Sequence, residues 1–347
     1  MQSTSRAITP RPFIATAALM FFAGCSGGGC GNCTVPPFHA APAPGTSPAP
    51  GVSGTPSVSP PPSGSPAPRV SPSAAPVPTP TPTPAPPPTP TPTPLLSCSQ
   101  GGPATIALGP ALAPFGVLAG STVTNVGNTL VTAATGATTN GVNDDLIGVS
   151  PGTAVTGFYP PGRDTDGPNA IYAAGYNPDR TTPANAQTAL NVAYTTAAGR
   201  PATATFPGGT DLSTTKVPGS TDPPGTFPPG VYKSATTFSI GTGNLTLDGA
   251  GNPQSVFIFQ MGTGLTTTPA GAVAGNVNLA HGASACNVYW QVGSAAILGG
   301  ATFYGNVFAG QAITINATSF TGRALAENAA VSIPVAGGSL ITNPGGQ

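Results

Sequence analysis

Side chains able to do acid–base or metal chemistry are scarce in this 347-residue chain. The carboxylates are Asp144 and Asp145, Asp164 and Asp166, Asp179, Asp211, Asp222, Asp248 and Glu327, most of them in polar, turn-like stretches. The densest group is PPGRDTDGPN (160–169), where Asp164 and Asp166 flank Thr165 beside Arg163. Sugar hydrolysis would need a carboxylate pair facing one cleft. A calcium site would need about six to eight oxygens, and no full set is visible here. CGNC (30–33) has no second CxxC, and His39 and His281 are far apart, so no zinc site is expected and no cofactor is assigned. From Gly249 to Gly322 there is no Lys, Arg, Asp or Glu, and the whole chain is only 5% charged, against about a quarter in ordinary soluble domains. Its surface chemistry is therefore hydroxyls and methyls. Such a surface suits a neutral, ordered partner better than an acidic substrate or a charged lipid, and no nucleic-acid partner is expected.

The elements that must carry this surface follow from composition. Arg6 and Arg11 precede the apolar FIATAALMFFAG (13–24), a signal peptide of residues 1–24. Its apolar core is too short to span a bilayer, which takes about 20 residues. FAGC (22–25) resembles a bacterial lipobox, which implies lipidation of Cys25. Ser26 follows, with no Asp there, so an outer-membrane or cell-surface location is expected, with the membrane met through the lipid alone. Residues 25–97 then form a Pro/Thr/Ala/Ser-rich linker that cannot bury enough apolar surface to fold. Fully extended, Pro36–Leu95 would reach about 150–190 Å.

The remaining residues, 98–347, suffice for one large domain. Of the five cysteines, Cys30, Cys33, Cys98 and Cys286 remain if Cys25 is lipidated, and four cysteines allow three connectivities. Cys98 opens the domain and Cys286 lies deep within it, so that pairing is favoured. Short apolar runs (STVTNV, AVTGF, NLTL, SVFIF, NVYWQV, TFYGNVF, AITI) alternate with Gly, Asn and Pro turns, which predicts strands. Four segments can be laid over one another, starting at 256, 288, 307 and 324. A repeat near 20 residues with strands in each is the mark of a solenoid, and its uneven spacing favours an irregular β-helix over a propeller. One helix is expected at about 183–198, with Thr182 as cap, Pro183 in the first turn and Gly199 as the stop. Ala186, Leu190, Ala193, Tyr194 and Ala197 would share its packed face.

These blocks together resemble the bacterial and fungal ice-binding (antifreeze) proteins. The matching stretches include FGVLAGSTVTNVGNT (115–129), GVSPGTAVTGF (148–158), FPPGVY (227–232), LTLDGAGNPQSVFIFQMGTGLTT (245–267), NVYWQVGSAAILGGATFYGNVFAGQAITI (287–315) and GRALAENAAVSI (322–333). They span roughly Leu108 to Ala336 in the family's order, with the helix in its place. The resemblance implies a mostly β, irregular right-handed three-sided parallel β-solenoid, discontinuous in sequence, with one long α-helix alongside and one face that binds ice. TAATGATTNGVNDDLIG (132–148) is longer than the family's usual short turn.

Stacked coils repeat at about 4.8 Å, so equivalent Thr or Ser would form a ladder in which each hydroxyl holds a water and each methyl narrows its alternatives. Some family members carry Thr-Ala/Gly-x-Thr/Asn motifs on that face. The resemblance transfers this pattern to Thr132, Thr135, Thr153, Thr156, Thr263 and Thr266, with Ser294 and Ala296 in the next coil. Positions three apart lie on opposite faces of a regular strand, so each motif would need a bend. The expectation is a non-enzymatic, monomeric protein whose partner is ice or ordered water. A cell-surface adhesin or carbohydrate-binding β-helix is the alternative.

Overall fold

The structure, a computed structural model, describes residues 104–134, 138–139, 142–268 and 274–345. Short strands, almost all paired in parallel, stack into three faces around one apolar column. The expected signal peptide and linker, with Cys25, Cys30, Cys33 and Cys98, lie outside the described residues. Cys286 is buried and disulfide-bonded.

One face runs in spatial order through Ala204–Phe206, Gly230–Ser234, Phe257–Met261 and Val288–Val292. It continues through the C-terminal halves of Thr302–Ala309 and Ser319–Ala326, then Phe115–Ala119, Leu146–Val149 and Ile171–Tyr172. The order is not that of the sequence. The first coil, Phe115–Ala119, pairs with one of the last, at Val117–Ala324 and Leu118–Leu325. The chain then runs outward to Ile171–Tyr172, returns along the helix Thr181–Ala198, and restarts at the opposite end with Ala204–Phe206. An 18-residue helix is about 27 Å long, enough to cross six strands at about 4.8 Å spacing. It packs against strands from Leu146–Val149 to Phe257–Met261. Helix length thus matches the stack that it must bridge.

The helix buries Pro183, Ala186, Leu190, Ala193 and Ala197, and leaves Tyr194 half-buried. They meet an outward layer of the sheet formed by Leu118, Ile258, Tyr289, Phe308 and Leu325. This is why both sides of those strands are apolar. The helix begins at Thr181, two residues before its expected start. Asp179, not Thr182, closes its first turn: the carboxylate accepts from Thr181 N (2.8 Å) and Thr182 Oγ1 (2.5 Å). At the other end Gln260 Nε2 donates to the carbonyls of Ala197 (2.7 Å) and Arg200 (2.8 Å), tying the end of the helix and the residues after it to the sheet.

Inside the column, Trp290 stacks on Phe259 with ring centres 4.3 Å apart, and Phe303 and Phe320 continue the line. Trp290 Nε1 donates to the Tyr304 carbonyl (3.0 Å). Coil register differs from the 256, 288 and 307 starts, since Phe259 pairs with Trp290 and Trp290 with Val307, whereas the 307 and 324 starts hold, with Val307 paired to Ala324. The long strands Thr302–Ala309 and Ser319–Ala326 pass between two faces at Gly305 and Gly322. A Cβ at Gly322 would lie 1.9 Å from the Gly305 carbonyl oxygen, so only glycine permits that close stacking.

Not every acid lies in a solvated turn. Asp144, Asp145 and Asp164 are buried, as is Arg323. Arg323 donates to the carbonyls of Ala113 (2.9 Å) and Gly345 (3.0 Å) and to Asn306 Oδ1 (2.9 Å). Burial pulls its guanidinium down to about 10, and the charge of Asp144 opposes that fall.

Candidate functional site

With one face covered by the helix, two sides of the solenoid remain open among the described residues. The first is built from Thr210–Asp211, Phe238–Ile240, Leu265–Thr267, Ala296–Leu298, Ile313–Ile315, Val331–Ile333, Thr122–Asn125 and Ala154–Thr156. In most of these strands an apolar residue on each side of one outward residue plugs into the core. Phe238 and Ile240, Ile313 and Ile315, and Val331 and Ile333 are all fully buried. Parallel pairing then fixes the outward residues in one register. Asp211 aligns with Ser239, Ser239 with Thr266, and Thr266 with Ile297. Ile297 aligns with Thr314, Thr314 with Ser332, Ser332 with Thr124, and Thr124 with Thr156.

A second column lies two residues earlier. It contains Gly264, Ala295, Ala312 and Ala330, whose carbonyls pair along the ladder, and Thr122 beside Ala154. A row of Thr and Ser thus stands beside a row of Ala and Gly, giving a ridge next to a trough. The β-branched threonines are stiff at χ1, so their hydroxyls and methyls are set before any partner arrives. Asp211, at one end, is the only charged residue on these eight strands. Its partial burial raises its pKa, but hydrogen bonds from Ser213 and Thr242 outweigh that and hold it down at about 2. Those bonds (Ser213 Oγ 2.6 Å, Thr242 Oγ1 2.6 Å) tie the carboxylate to its own turn and to the corner of the next coil.

The sequence motifs divide across this geometry. Thr156 and Thr266 stand in the central column and are exposed. Thr153, Thr263 and Ser294 lie one residue before the small-residue column, at the corner where each coil enters the face; Ser294 N donates to the Thr263 carbonyl (2.6 Å). The Thr153–Thr156 and Thr263–Thr266 motifs therefore each join a corner threonine to a face threonine. Ala296 does not reach the surface: it is 1% exposed and packs in the core, and its neighbour Ile297 (42% exposed) takes the outward place. Thr132 belongs to the third face, paired with Thr342. Thr135 lies outside the described residues. Motif reading missed Ser239, Thr314 and Ser332, whose signal was the apolar–x–apolar triplet around each, and Thr124, which stands between Val123 and the polar Asn125.

The third face is less uniform. It contains Thr226–Phe227, Leu245–Asp248 and Val277–Ala280 in one part. In the other, Thr321, Thr342 and Thr132 align beside Ser319, Leu340, Leu130 and Arg163. The exposed Leu340, the Arg163 cation and an Asp248–His281 contact (2.7 Å) break its neutrality.

Comparison with known proteins places this geometry. Residues 117–336 match the family model described as ice-binding-like. The chain is 34% identical over 233 residues to an ice-binding protein of a Nostoc species, covering 66% of this chain and 72% of that protein. Among solved structures it is similar to an ice-binding protein from an Antarctic biological consortium: 33% identity, TM-score 0.53, 73% of this chain and 96% of that one. It is also similar to the ice-binding protein of the ascomycete Antarctomyces psychrotrophicus: 30% identity, TM-score 0.52, 69% and 98% covered. The matched region contains the three-faced parallel stack, the accompanying helix and the neutral ladder together, and the chain belongs to the ice-binding-like family.

Proposed function

We propose that this protein binds ice through the uncovered Thr/Ser/Ala/Gly face and thereby inhibits ice growth and recrystallisation, without catalysing a reaction. The observation that carries the reading is the in-register column from Ser239 to Thr156, uncharged along its length and flanked by a trough of small residues. Rungs about 4.8 Å apart and columns about 6.6–6.8 Å apart define a two-dimensional array for water. Each threonine hydroxyl donates and accepts, while the adjacent methyl and the Ala floor remove competing orientations. Water between the columns is then biased toward a lattice before ice arrives. A charged side chain would hold its hydration shell radially instead. Adsorbed molecules would pin the ice front, which must curve between them and so grows only at lower temperature.

The lipobox and linker extend this reading to the cell. The acylated Cys25 would hold the domain at the envelope, on the outer side given Ser26 in place of Asp, and the linker would let it reach ice beyond the membrane. The functional test is a recrystallisation assay of the purified protein held just below freezing. Ice grains should stay small at low protein concentration. Grains that coarsen as fast as in buffer, with protein shown to be folded, would refute the function and favour an adhesin.

A further inference from the structure

The acidic group near residue 164 has no part in the ice face, and its geometry differs from that of a solvated turn. Carboxylate oxygens of Asp145, Asp164 and Asp166 all lie within 4.8 Å of one another. Asp145 and Asp164 are 0% and 3% exposed, and Asp166 opens to solvent. Asp145 Oδ2 accepts from Thr165 Oγ1, Asp164 Oδ1 from Asp166 N (2.9 Å), and Asp166 Oδ1 from Asn143 Nδ2 (2.6 Å). One oxygen of each buried carboxylate, Asp145 Oδ1 and Asp164 Oδ2, has no hydrogen-bond partner among the described residues. Among those residues no Lys or Arg forms a salt bridge with the cluster. Two buried carboxylates beside a third are mutually repulsive, and an unpartnered buried charge is costly.

We infer that Asp145, Asp164 and Asp166 form a calcium site. Calcium–oxygen bonds of about 2.3–2.6 Å allow two ligands of one ion to be no more than about 5 Å apart, a limit that all three oxygens meet. The donors are hard carboxylates, as calcium prefers, and the exposed side of Asp166 leaves room for waters to complete the shell. The ion would give the unpartnered oxygens a partner and offset the repulsion. It would also tie Asp145, just before the strand Leu146–Val149, to the strand Arg163–Asp164. That pins the terminal coil, which also contributes the last rung of the ladder, Ala154–Thr156. A partly open site with three carboxylates belongs to the weak class, with a dissociation constant of about 0.1–1 mM.

The test uses the full chain, stripped with EDTA at pH 7.5, with melting followed as CaCl2 is added to about 10 mM. Melting should rise by about 3–6 °C, and Asp164→Asn and Asp145→Asn should each abolish the rise. The exposed variant Asp166→Asn, which leaves the buried pair intact, should weaken binding about tenfold or more. Terbium luminescence sensitised by Tyr159, whose hydroxyl donates to the Asp164 carbonyl (2.6 Å), gives a second readout. Calcium should quench that emission by displacement. No melting shift together with no displaceable terbium signal would overturn the site and leave a carboxyl–carboxylate pair sharing a proton. An equal shift with MgCl2 would mark simple charge screening and overturn it as well.

Discussion

The ladder makes a graded prediction that depends on position as well as residue type. Thr314 lies in the middle of the column, flanked by Ile297 and Ser332, whereas Thr156 ends it. With rungs about 4.8 Å apart, a lysine at 314 disturbs its own rung and both neighbours. At 156 it disturbs its own and one other. The ammonium also stands off on a four-carbon stem and holds the middle of the array away from a flat crystal, whereas at the end the protein can tilt. If the rungs contribute equally, a central lysine removes over a third of the adsorption free energy, since three of the eight strands lose contact. A loss of about 1.4 kcal/mol already costs tenfold. Thr314→Lys should therefore raise the lowest concentration that stops recrystallisation by about tenfold or more, and Thr156→Lys by distinctly less. Both side chains point away from the core, so stability should shift by less than about 0.5 kcal/mol, checked by thermal melting. Thr132→Lys on the third face is the control and should keep activity. Loss of activity in Thr132→Lys with full activity in Thr314→Lys would refute the assignment of the face.

Other consequences follow from packing and charge. Leu190 is fully buried between helix and sheet, so Leu190→Asp should cost more than about 3 kcal/mol, while Thr188→Lys on the exposed side costs under about 0.5 kcal/mol; equal denaturant midpoints for the two would contradict the packed helix. Burial and neighbouring carboxylates raise Asp164 to about 8, and burial raises Asp145 too. The folded state thus holds protons that the unfolded state has lost, and in EDTA stability should fall as pH rises from about 4 to about 8; Asp164→Asn should flatten most of that slope in a melting series. Cys25→Ser should abolish incorporation of labelled fatty acid in a bacterial host, and wild-type chain that takes up no label would remove the anchor.

Strands and helix were legible because their patterns are local. Apolar–x–apolar triplets and Gly/Asn/Pro turns mark the coils, and Gly199 marked the helix stop. The helix start was misplaced because Thr182-Pro183 looks like a cap, whereas the side chain of Asp179 reaches over the first turn. The residues of the proposed ice face were harder. Threonines three apart bracket a corner, so the motif selects one residue of the face and one of the edge, as Thr263 and Thr266 show. A one-residue difference in register changes which side chain faces out, which is how Ala296 rather than Ile297 came to be chosen. Reading the middle residue of each triplet would have found Ser239, Thr314 and Ser332. The buried acids had no local signal at all. Asp145 and Asp164 look like turn residues until pairing brings their segments together, and the stacking of the first coil on one of the last is likewise a long-range fact.

The central claim is that this surface recognises ice itself. Its most direct test is adsorption of fluorescently labelled protein to a growing single-crystal ice hemisphere, viewed under excitation after the surface is washed. The account predicts bright, plane-specific patches from the wild-type chain and dim ones from Thr314→Lys at equal concentration. An evenly dark hemisphere with folded wild-type protein would contradict it.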